Sequence, residues 1–142
     1  MNWESFQDIN NPFIFHRSAV TLSELINELK TVFNIDMLRV IGNLKQIIRN
    51  IAILNGSPSC QYFIQALSDE NIDAVIGGEF TEWGVGEFAR DAVSQNKKVS
   101  LIELGHLMSE QFGMEYLVDW LQPKLNGVPI YFIETPNLFS VL

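Results

Sequence analysis

Short β-branched runs alternate with stretches of helical period along this chain, and that alternation restricts its fold more than any other feature. Thr21-Leu22-Ser23-Glu24 has capping-box spacing, in which the Thr and Glu side chains satisfy exposed backbone donors at a helix start. Leu22, Leu25, Ile26, Leu29 and Phe33 then recur at helical intervals, so a helix with one buried face is expected over about 21–33. Runs at 37–41 and 47–54 read as strands, with Gly42-Asn43 as turn residues between them. The second run is apolar at nearly every position after Asn50, as suits a strand buried on both faces. Beyond it the pattern predicts helix 60–68, strand 73–77, helix 80–95, strand 98–104, helix 107–121 and strand 128–133. Strands alternating with helices of this length imply right-handed crossovers and a mainly parallel sheet covered on both faces, an α/β fold. Pro129 opens the last strand, where its missing donor suits an edge position. Residues 1–20 show neither period and read as an extended lead-in, the end of a linker, ahead of a single α/β domain over 21–142.

A chain of 142 residues fits one domain with its own core, and 47% hydrophobic against 18% charged residues supplies enough apolar surface to offset the entropy of ordering. Nine Lys and Arg against seventeen Asp and Glu leave a net charge of -8, which repels phosphate backbones and anionic headgroups. Lys97-Lys98 and the scattered Arg17, Arg39, Arg49 and Arg90 form no basic run, so neither nucleic acid nor a membrane surface is expected as a partner. The single cysteine, Cys60, closes no intrachain disulfide and asks for no oxidising compartment. Residues 1–6 lack the basic start and apolar core of a signal peptide. No apolar run approaches the roughly 20 residues of a membrane span, so the expected compartment is the cytoplasm.

In an open parallel sheet, ligands bind outside the carboxyl ends of the strands. Three polar, glycine-containing sets fall at such points: Asn55-Gly56-Ser57-Pro58-Ser59, Gly77-Gly78-Glu79 and Gly105-His106. If the last helix begins near His106, its imidazole and the Glu110 carboxylate lie four residues apart on one side, able to share a metal ion. The competing reading is an exposed helix start at which Glu110 favours the helix dipole. Glu79 also has two readings: a carboxylate that orients a ligand or acts as a base on metal-bound water, or the acidic N-cap region of the next helix. The loop at Gly56–Ser59 offers donors to an anion, yet the chain contains no Gly-Lys-Ser or Gly-Lys-Thr of a Walker motif. Gly84-Val85-Gly86 falls inside an expected helix, which denies it a dinucleotide role; Glu82 and Glu87 read as solvated surface and Cys60 as a small buried hydrophobe. His16 has no placed acidic neighbour and reads as structural or disordered.

The succession Ile51-Ala52-Ile53-Leu54-Asn55-Gly56-Ser57, Asp73-Ala74-Val75-Ile76-Gly77-Gly78-Glu79, Gly105-His106-Leu107-Met108-Ser109-Glu110 and Ile133-Glu134-Thr135-Pro136-Asn137 resembles the C-terminal half of the Nif-three-like family, also described as type 2 GTP cyclohydrolase I homologues. The likeness covers roughly residues 18–139, and its Gly-His-x-x-x-Glu step is the most specific part. The resemblance implies a three-layer α/β/α domain with a mainly parallel mixed sheet. It also implies a dinuclear centre of divalent metal (Zn, Fe, Mn or Mg) and a homo-oligomer, a toroidal hexamer built from trimers. His106 and Glu110 fall on the family's metal ligands, and Glu79 falls close to the site. Further family ligands, a His-His pair and an Asp, come from an N-terminal half of similar fold that has no counterpart in this pattern; His16 does not occupy its place. Gly77 stands where the family usually has Thr or Ser, and Asn137-Leu138 where it has Asn-Pro.

A two-metal centre needs about six to eight donor positions, which two side chains do not fill. Three functional readings follow. The chain is a metal-binding domain that contributes part of a dinuclear site and is not catalytically competent alone. Alternatively it is a metal-dependent hydrolase of the GTP cyclohydrolase type acting with an N-terminal-half partner, its ions polarising a carbonyl or phosphoryl group and activating water. In the third reading it is a non-catalytic oligomerisation or scaffold domain, with Trp3, Trp83 and Trp120 suited to anchor an interface.

Overall fold

In the structure, a computed structural model that describes residues 7–138, apolar residues at alternate strand positions divide between two cores. Trp3 and the last four residues of the expected domain lie outside the described residues. Successive side chains of a strand point to opposite faces of its sheet. On β3 (Ile47–Leu54), β4 (Ala74–Gly77) and β5 (Ser100–Glu103), Ile51, Ala74, Ile76 and Ile102 accordingly meet Leu22, Leu25 and Leu29 of α1 (Leu22–Phe33) on one face. Ala52, Val75 and Leu101 meet Phe63 and Leu67 of α2 (Cys60–Ser68) and Ala89 and Ala92 of α3 (Glu87–Ser94) on the other. The result is a three-layer α/β/α domain.

The three central strands are parallel neighbours, and β1 (Ile14–Thr21) and β2 (Arg39–Ile41) close the edges as antiparallel partners, giving the mixed order β1-β3-β4-β5-β2. The capping box that marks α1 in the sequence is fully formed: Glu24 N–H donates to Thr21 Oγ1 at 3.2 Å, and Thr21 N–H donates to Glu24 Oε2 at 2.7 Å. No helix among the described residues is long and apolar enough to cross a membrane.

Three expectations are corrected. Much of the lead-in is strand β1 rather than linker: a register shift between His16 and Val20 breaks the two-residue alternation by which a strand is recognised. The segment 128–133 forms no strand; no strand of the described residues pairs with it, and Ile130 N–H donates instead to Gln122 Oε1 at 3.2 Å. Pro129 therefore sits outside the sheet. The helix expected over 80–95 starts with a π-turn at Glu82–Gly86, closed by Gly86 N–H on Thr81 O at 3.3 Å, before α3 proper. The final helix, α4 (His106–Leu121), buries none of its residues.

Candidate metal centre

Backbone hydrogen bonds continue past the ends of the three parallel strands and bring their loops together. Gly78 N–H donates to Leu54 O (2.9 Å), Glu79 N–H to Gly56 O (2.8 Å), Leu104 N–H to Gly77 O (2.8 Å) and Gly105 N–H to Gly78 O (2.9 Å). The first turn of α4 is tied onto this platform by Ser109, whose Oγ accepts Gly56 N–H at 2.9 Å and donates to His106 O at 2.7 Å. The fit leaves no room for side chains: a Cβ on Gly78 would strike Gly56 O and Ser109 Oγ, and one on Gly56, at φ 67°, would strike the Glu110 carboxylate.

This packing aligns Glu79, His106 and Glu110. His106 Nδ1 lies 3.0 Å from Glu79 Oε2, and Nε2 lies 3.2 Å from Glu110 Oε2, so one imidazole stands between two carboxylates. All three side chains are about half exposed, at 58%, 49% and 44%. Glu79 lies just ahead of Thr81, the residue that precedes the first turn of the next helix. Among the described residues, no group of three or more His, Cys, Asp and Glu is placed to hold a metal ion.

The trio borders a groove of about 1200 Å³ that runs along α4, lined among others by Met37, Leu104, Met108, Leu117, Ile130 and Phe132. Glu103, which is not among the candidates found from the sequence, lines the same groove; its signal is an acid at the last position of a parallel strand whose other residues are buried. Burial holds its carboxyl above the usual carboxylate range. Arg39, with Nη1 2.8 Å from Glu103 Oε2, opposes that effect, while the Glu82 and Glu79 charges add to it.

Other candidates take structural places. Ser59 caps α2 through Gln61 N–H at 3.3 Å, and Cys60 packs at the edge of the core with Sγ 3.4 Å from Thr81 Oγ1. Glu82 and Glu87 are surface groups paired with Arg39 and Arg90. His16, expected without an acidic neighbour, has one: Nε2 lies 2.9 Å from Asp8 Oδ2, and Nδ1 lies 2.8 Å from Asn50 Oδ1. Turn residues bring Asp8 back to the strand, a contact that no spacing rule signals.

A family model described as Duf34/NIF3 (NGG1p interacting factor 3) matches residues 9–137. The GTP cyclohydrolase 1 type 2 homolog of Clostridium perfringens (strain 13 / Type A) is 30% identical over 91 residues, 64% of this chain and 32% of the relative. This chain therefore spans well under half the length of the curated relative it matches. A Bacillus cereus protein related to NIF3 has a similar structure, with a TM-score of 0.70 at 21% identity over 91% of this chain and 35% of that one. Staphylococcus aureus protein SA1388 has a TM-score of 0.68 at 23% identity over 91% and 41%. At these identities the structural likeness is one of fold.

Proposed function

Because this chain belongs to the Duf34/NIF3 family, we propose that it is a metal-binding domain supplying His106 and Glu110 as one side of a dinuclear site, completed by ligands beyond its described residues. The observation that carries this reading is the imidazole between two carboxylates. A carboxylate on one ring nitrogen of a histidine fixes the tautomer and leaves the other nitrogen free to ligate. Glu79 on Nδ1 is that carboxylate, so it is an orienting group more than a base. On the far side, Nε2 and Glu110 Oε2 are 3.2 Å apart, close to the separation of about 3.3 Å that two donors take around a tetrahedral ion at about 2.0–2.1 Å. When bound, divalent ions polarise a carbonyl or phosphoryl oxygen and favour deprotonation of water. The chain's own contribution is to hold two donors and their orienting carboxylate on a rigid platform. Hydrolase activity of the GTP cyclohydrolase type would belong to the larger unit that completes the site, with an N-terminal half as the partner.

Calorimetric titration of the chain with Zn²⁺, followed by metal analysis, tests this. Binding is expected to be lost in His106→Ala and in Glu110→Ala, and to weaken about 10- to 100-fold in Glu79→Gln. No uptake at micromolar supply, or uptake unchanged in both alanine variants, would overturn the reading.

A second reading, assembly, has its own observation. α4 carries Phe112, Met114, Tyr116 and Trp120 exposed and no buried residue, and large apolar side chains gathered in the open on one helix mark an interaction surface. A homo-oligomer, trimer or hexamer, built on that helix is the partner arrangement proposed here; light scattering that returns a monomer at working concentration rules it out.

A further inference from the structure

Two contacts at the edge of the sheet make demands that a neutral imidazole cannot meet together. Asn50 Nδ2 donates to Asn71 O at 2.8 Å, which fixes the amide so that its oxygen, an acceptor, faces His16 Nδ1. The other ring nitrogen faces Asp8 Oδ2, an acceptor when ionised. A neutral ring has one N–H and satisfies one of them; the imidazolium has two and satisfies both.

What this ring holds is the cover of β1. Residue 8 donates its N–H to Ile14 O at 2.7 Å, and Gln7 bridges Phe15 in antiparallel fashion, on the side of β1 away from β3. The turn between them is pinned by Asp8 Oδ1, which accepts Asn10 N–H (2.7 Å) and Asn11 N–H (3.0 Å), and by Gln7 Nε2 on Pro12 O (2.7 Å). An uncovered edge strand presents unpaired N–H and C=O groups to any other strand. We propose that His16 is a pH-operated latch, which in its charged form tightens residues 7–13 over the outer edge of β1 and in its neutral form loosens them.

Asp8 faces the ring from the turn and the uncharged Asn50 faces it from β3; Arg17, the next residue on β1, is engaged with Glu28 at 2.7 Å. The hydrogen bond with Asp8, then that with Asn50, raises the His16 pKa above its ordinary 6.5. The same bond with His16, then the Asn10 and Asn11 amides, lowers Asp8 below 3.8. A raised histidine contributes fully below 6.5 and loses its contribution as pH climbs through the folded-state value. A lowered carboxylate contributes fully above 3.8 and loses its part as pH falls through its own folded-state value. The latch is therefore tightest between 3.8 and 6.5 and loosens upward through the raised His16 midpoint.

The test uses NMR on the full chain, in the wild type, His16→Ala and Asp8→Asn. The Asn side chain keeps an oxygen for the two turn amides, so the last variant removes the charge and preserves the turn. The His16 ring should titrate above 6.5 and fall toward it in Asp8→Asn. Below 6.5, the Asp8 amide should exchange about 2- to 5-fold more slowly in the wild type than in His16→Ala, as suits an exposed pair. Above the wild-type midpoint the ratio should approach one. A midpoint at or below 6.5, or a ratio that stays constant with pH, would overturn the latch.

Discussion

The residues that matter most at the strand ends are those without side chains. A Cβ at Gly78 meets backbone at Gly56, which cannot rotate away as a side-chain tip would. Gly78→Ala is therefore expected to destabilise the fold by about 1–3 kcal/mol in urea titration and to displace α4 from the platform. Ser109→Ala leaves the buried Gly56 N–H without its acceptor, a loss of about 1–3 kcal/mol measured in the same way. Glu103 gives a pH signature. Because its folded-state pKa lies above 4.5, the native protein binds the extra proton, so stability falls as pH rises from 4.5 through that value and is level beyond it. Glu103→Gln should remove that fall from the urea midpoint measured against pH. At this scale the sequence disclosed His106 and Glu110 through spacing and Glu79 through its place after a strand. It did not disclose Ser109 or the Asp8–His16 pair, because each is a contact between segments far apart or turned back by a loop, and neither has a period.

Elements were legible where one physical rule acted alone. Helix α2 and strand β3 occupy the spans that periodicity assigns them, and α1 begins where its capping box says it should. Thr21→Ala should lower stability by about 0.5–2 kcal/mol, since it strips the acceptor from Glu24 N–H. Leu25→Ala, at a fully buried position facing the sheet, should lower it by about 2–5 kcal/mol; equilibrium denaturation separates the two. Illegible elements were those in which two rules compete. In β1 a bulge interrupts alternation, and at 80–95 the glycines of the π-turn loosen a start that periodicity alone would make regular. At 128–133 a β-branched run has propensity without a neighbour, and a strand is a property of a pair.

For the molecule as a whole, the acidic charge and the α/β layering around a parallel centre were readable from composition and order, whereas the antiparallel edge strand β1 and the groove beside α4 were not. Helix α4 distributes its apolar residues among Glu110, Gln111, Glu115 and Asp119, so its period assigns it no inner face, and Phe33 packs edge-on against its Phe112 with centroids 5.4 Å apart. The order β1-β3-β4-β5-β2 also bears on how the chain reaches its native state. Strands β3, β4 and β5 follow one another along the backbone, so their pairing closes short loops. Joining Arg39 to Glu103 closes a much longer one and costs more chain entropy. Refolding should thus nucleate on the parallel centre, with β2 docking late. In stopped-flow refolding, Ile51→Val should slow the main phase, and Val40→Ala should act chiefly by speeding unfolding.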